Sequence, residues 1–190
     1  MATREEMLLA MGNASQMYAR VEFNLFNLVA FLMGCKREST AALFYSMTNS
    51  RDRNNAVKTL CRLHLEDERQ PFVSSLMKHV QKIDEFRNKL AHGLVVMNAD
   101  VLPPDHLIAK PVTYWIADWP GFEPVSIAQV GEHIERADNI RAILRNFTHF
   151  LAGGFDGEAG AKWDAVFKQP IELPLPVAHL IYDPTAALPD

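Results

Sequence analysis

Residues 76–93 read LMKHVQKIDEFRNKLAHG, from Leu76 to Gly93. Leu76, Val80, Ile83, Arg87 and Leu90 recur at steps of four, three, four and three, the period of a helix with one buried stripe, and Gly93 follows as a stop signal. Arg87 therefore lies on the apolar stripe. A guanidinium cannot shed its charge by losing a proton, so an arginine placed there must meet a carboxylate, backbone carbonyls or a bound anion. Glu22 is the expected carboxylate, because it also falls inside an apolar stripe, between Tyr18 and Leu25, where an unpaired charge is costly. A phosphate or another anion is the alternative. His92 ends the same helix, where the helix dipole favours an imidazolium by about 0.3–1 kcal/mol. Five residues on a regular helix turn through about 140°, so Arg87 and His92 do not naturally face one spot. Either the last turn unwinds at Ala91 and His92, or a second subunit completes the site.

Outward from this stretch, the chain is read as a series of helices. Residues 4–34 form a long first helix on Leu8, Met11, Tyr18, Leu25, Val29 and Leu32, ended by Gly34. Between Val21 and Met33 nearly every position is apolar, more than one core face needs, which predicts contact with a second subunit. Ser39 or Thr40 caps a short second helix to about Met47, and Ser50 a third to about Leu65. The fourth starts near Arg69, with Pro71 in its first turn. After Gly93, Leu94–Met97 and Val112–Trp119 are β-prone, separated by Pro103 and Pro104, and predict a small hairpin. Ser126 with Gln129 three residues on caps a fifth helix through Leu151. Gly153 and Gly154 stop it, a short helical piece at 159–167 follows, and the prolines from Pro170 onward predict an extended arm laid over an apolar groove. The expected organisation is mainly α, a four- to five-helix bundle over residues 1–153 with a β-prone insert at about 94–125, and a Pro-rich arm over 154–190.

Composition excludes several classes. With 190 residues, 48% apolar and 22% charged, the chain has the make-up of one folded domain. Its longest apolar run, Leu25 to Cys35, is interrupted by Asn27 and is too short to span a bilayer, and no export signal is legible, so a soluble cytoplasmic protein with no membrane attachment is expected. Cys35 and Cys61 have no metal-type spacing and are expected to be buried, reduced thiols. His64 with Glu68 is a weak ligand pair across a helix break, and no metal or cofactor is expected. The net charge of −4 argues against bulk electrostatic attraction to nucleic acid, yet residues 51–92 carry nine Lys or Arg against six Asp or Glu.

Arg87-Asn88-Lys89-Leu90-Ala91-His92-Gly93 resembles the Arg-x4-6-His signature, often Arg-Asn-x-x-Ala-His, of the HEPN superfamily (higher eukaryotes and prokaryotes nucleotide-binding domains). The order of elements over residues 4–152 is similar too, while the tail after residue 153 lies outside the resemblance. The resemblance implies a helical bundle that forms a two-fold homodimer, with Arg87 and His92 of both subunits in one cleft. It implies a metal-independent endoribonuclease of the toxin–antitoxin or phage-defence type, with RNA as substrate. An antitoxin or a nucleotidyltransferase often accompanies such proteins. Asn88 matches the polar residue that often follows the arginine, and with Lys89 it is expected to bind or orient substrate. Other members have lost activity and act as nucleotide- or protein-binding modules, which is the second reading. An unrelated bundle with a structural arginine is the third.

Overall fold

On the first helix, Met7, Met11, Ala14, Tyr18, Val21, Leu25, Leu28 and Leu32 recur at alternating steps of four and three, a seven-residue repeat that keeps one seam turned inward. Six of the eight are buried, and Met11 and Tyr18 partly so. The seam differs from the expected stripe at its start, where Met7 is buried and Leu8 exposed. In the computed structural model, which describes residues 4–96, 106–111 and 125–175, this helix is α1 (Arg4–Met33). Gly34 ends it at φ 59°, a left-handed conformation that glycine adopts without a Cβ penalty.

The chain is mainly α. After α1 come α2 (Arg37–Ser46), α3 (Ser50–His64), a 3-10 turn at Asp67–Arg69, α4 (Gln70–Ala91), α5 (Ile127–Leu151) and α6 (Gly157–Val166). Asn49, one residue before the expected cap, starts α3, its side chain accepting from the Asp52 N–H at 2.8 Å. At α5 the expected capping box is present in both directions. The Gln129 N–H donates to Ser126 Oγ at 3.1 Å, and the Ser126 N–H donates to Gln129 Oε1 at 2.8 Å.

Two compact units divide the chain, with boundaries inside α1, α4 and α5. Unit 1 comprises Met1–Ala19 and Lys82–Ala137. Its core joins Met7 and Ala14 of α1, Leu90 of α4, and Val125 and Val130 at the start of α5, with Phe86, Ile127 and Ile134 packed against it. It also holds a three-stranded antiparallel ribbon in the order β1 (Gly93–Val96), β2 (His106–Pro111), β3 (Val125–Ser126), with Gly93 opposite Pro111 and Leu107 opposite Val125. The β-prone stretch at Leu94 thus forms a strand, paired with residues 106–111. The other expected strand, Val112–Trp119, lies outside the described residues.

Unit 2 comprises Arg20–Gln81 and Asp138–Asp190 and is a helical bundle. The expected domain boundary at residue 153 falls inside this unit. Phe72 of α4, Phe147 of α5 and Phe167 after α6 form a triangle with ring centroids 4.8, 5.0 and 4.9 Å apart, and Trp163 stacks on Phe167. Outside this core, Asp164 accepts from Arg69 at 2.7 Å and pairs with Lys168 at 2.9 Å. These bonds, Lys168 first and then Arg69, hold the Asp164 carboxyl below the usual carboxylate range. Gly154 lies against the His149 ring, so no Cβ fits there.

Ser75 Oγ of α4 accepts from the Ile171 N–H at 3.0 Å and lies 3.3 Å from the Ile171 carbonyl, while Leu175 is buried. Residues 176–190 of the arm lie outside the described residues. Cys61 is buried as expected, and burial pushes its thiol up to about 12. Cys35 corrects the expectation of two buried thiols: helix α1 stops at Gly34, and Cys35 sits exposed in the turn that follows.

Candidate functional site

Unit 1 carries the Arg87–His92 motif. The stripe that places Arg87 is intact, with Leu76, Val80, Ile83 and Leu90 all buried. The Arg87 side chain is 27% exposed, which is less dry than the stripe alone predicts. Its Nη2 donates to Asp84 Oδ1 at 3.1 Å, and its guanidinium carbon lies 4.4 Å from the centre of the Tyr18 ring. A guanidinium on a ring face gains a cation–π attraction and is fixed in plane. Nε is buried without a hydrogen-bond partner among the described residues.

Glu22 has another partner. Its Oε1 lies 2.6 Å from Arg53 Nη2 in unit 2, and Arg53 also donates to the Met47 carbonyl at 2.9 Å. The expected Glu22–Arg87 pair is therefore corrected to two pairs, Glu22–Arg53 and Asp84–Arg87. The reason is local. Asp84 stands three residues before Arg87, where helix geometry brings the side chains together without any tertiary alignment. That spacing was visible in the sequence, whereas the Tyr18 contact needed the packing of α1 on α4.

His92 is exposed, Asn88 half-buried and Lys89 exposed. The His92 N–H still donates to the Asn88 carbonyl at 3.0 Å. This bond closes the last turn of α4, which ends at Ala91, so the turn does not unwind before His92 and the five-residue step of about 140° stands. At that step the two positions lie on different sides of α4.

His133 is a further residue of this unit, which no motif in the sequence singles out. It stacks on Phe86 with centroids 4.3 Å apart and planes 23° from parallel. Burial, followed by the nearby Arg136 charge, lowers its pKa to about 4. The unfolded chain takes up this proton near pH 6.5 and the folded chain only near 4. Stability is thus fully present above the unfolded value and is lost as pH falls toward 4, by about 2 kcal/mol at pH 5. Denaturant unfolding at pH 7.5 and 5 is expected to show this loss, and His133→Gln to reduce it by at least half. An equal loss in the variant would assign the pH dependence to other groups.

No family model matches the chain, and no curated protein or solved structure matches it either. No helix of the described residues is long and apolar enough to cross a membrane. No three His, Cys, Asp or Glu side chains among the described residues are grouped to hold a metal ion. What unit 1 offers chemically is a stacked, ion-paired arginine with donors to spare, and an exposed histidine and lysine at the end of one unbroken helix.

Proposed function

We propose that the chain is a HEPN-like, metal-independent endoribonuclease of toxin or phage-defence type that acts in the cytoplasm as a homodimer. The observation that carries this reading is the unbroken last turn of α4, which holds Arg87 in place while presenting His92 to solvent. RNA brings its own nucleophile, so the site needs a base, an acid and a positive group at the phosphate. His92 of one copy takes the proton from the 2′-hydroxyl, whose oxygen attacks the phosphorus. His92 of the other copy gives a proton to the departing 5′-oxygen. The products are a 2′,3′-cyclic phosphate and a 5′-hydroxyl. Asp84 occupies one Nη donor of Arg87 and Nε is buried, and the remaining Nη donors are the ones for phosphate oxygens as negative charge grows. Asn88 orients the substrate or His92, and Lys89 adds a second cation. An antitoxin or a nucleotidyltransferase is the protein partner that fits this reading.

The dimer brings the second His92 through unit 1. Leu8 and Leu9, 45% and 66% exposed, lie on α1 beside Met7, which packs in one cluster with Leu90 of α4. The Leu8→Asp/Leu9→Asp protein is expected to have half the native mass in light scattering and to lose cleavage. A native protein that is already monomeric at micromolar concentration would overturn the dimeric site.

The Asp84–Arg87–Tyr18 arrangement favours a second reading, a catalytically silent nucleotide- or protein-binding module, because it gives the guanidinium partners without any substrate. Incubating the purified protein with total RNA in excess chelator separates the two. Fragments ending in cyclic phosphate support the nuclease, and intact RNA supports the silent module.

A further inference from the structure

We propose that the exposed aromatic face of α1 and α2 in unit 2 binds single-stranded RNA by stacking its bases, an inference that takes its ligand from the reading of this chain as an RNA-acting protein. Phe23 of α1 is 50% exposed and Tyr45 of α2 is 49% exposed. Both adjoin the buried Phe26, with ring centroids 6.1 and 5.6 Å from it. Arg37 lies over the same group, its guanidinium carbon 5.0 Å from the Phe26 centroid and 6.0 Å from that of Phe23, and its Nη2 donates to Asn27 Oδ1 at 2.9 Å. Two half-exposed rings and a guanidinium thus share one surface.

Charge decides what fits there. Arg20, one turn before Phe23, and Lys36 and Arg37 at the start of α2 are exposed, and Glu38 is the one exposed carboxylate among residues 20–46. Glu22 does not offset them, because it is paired with Arg53. In a chain of net charge −4 this stretch of α1 and α2 carries a local excess of two positive charges. A second copy seated on it would set that excess near its like. A single RNA strand supplies a flat ring for each exposed ring and phosphates for the cations. With three exposed cations, the logarithm of affinity should fall with the logarithm of salt with a slope no steeper than about −2, because stacking supplies the rest.

The test uses the full-length protein and a fluorescent oligouridine carrying 2′-O-methyl groups, which removes the nucleophile and separates binding from cleavage. In the Phe23→Leu/Tyr45→Leu protein, which keeps apolar contact with Phe26 but loses both ring faces, fluorescence anisotropy is expected to show at least about tenfold weaker binding, with mass and melting midpoint unchanged. Arg37→Gln is expected to weaken binding and to make the salt slope shallower. Three results would overturn the proposal: no binding by the native protein, affinity within twofold in the double variant, or a fall in mass, which would make this face a contact between copies. Binding retained by a protein that cleaves no RNA would remove the nuclease and leave this surface in place. Cleavage retained with no stacking-dependent binding would do the reverse.

Discussion

A protein carrying His92→Ala is expected to cleave RNA at least about a hundredfold more slowly than the native chain, the usual effect of removing a general acid or base. In a two-fold site the substitution removes both proton-transfer groups together. The exposed position of His92 makes the variant a clean one, because no packing is lost and unfolding in denaturant should be nearly unchanged. Initial rates measured in excess chelator, with the fragment ends identified, are the appropriate readout. A rate within severalfold of native would remove His92 from the chemistry. Loss of native activity in chelator would remove the metal-free route. An Arg87→Gln protein should be impaired in cleavage too, but it should also unfold more easily, since it removes the ion pair that Arg87 makes with Asp84, which is largely buried.

The Phe167→Ala protein is expected to lose about 3–5 kcal/mol of stability, the range for deleting a buried aromatic ring. Phe167 is fully buried and touches Phe72, Phe147, Phe150 and Trp163 through its ring, so its removal opens a cavity bounded by α4, α5 and α6. The neighbouring rings are held by their own packing and can collapse into that space only in part. Urea unfolding followed by far-ultraviolet circular dichroism measures the loss. A change below about 1 kcal/mol would mean that the segment after residue 153 is an appendage and not part of the unit 2 core.

Much of the helical order was legible because its signals are local. The Ser126–Gln129 capping box, the left-handed Gly34 and the stripe from Leu76 to Leu90 each depend on residues within a turn or two of one another. At the start of α1 the pattern does not separate Leu8 from Met7, because both are apolar neighbours. A pattern continued from Leu8 is almost as regular as the seven-residue seam that is buried. Cys35 was read into an apolar run that ends one residue earlier, at a glycine whose conformation turns the chain into solvent.

The candidate site divides along the same line. Arg87 on a buried stripe and His92 at a helix end follow from helical geometry, so the sequence by itself determined that these residues lie on α4 or at its end, while the structure decided that its last turn does not unwind between them. The sequence also held the Asp84–Arg87 spacing, a contact that a helix makes without help. Only the tertiary structure decided that Glu22 belongs to Arg53, that Tyr18 lies under the guanidinium, that His133 is buried against Phe86, and that α6 closes the aromatic core of unit 2. Those pairings join residues tens of positions apart, and residue type does not select among several carboxylates or rings of equal chemistry. Packing does, because it leaves each buried charge and ring with the few partners that the crossing of the helices brings within a few ångströms.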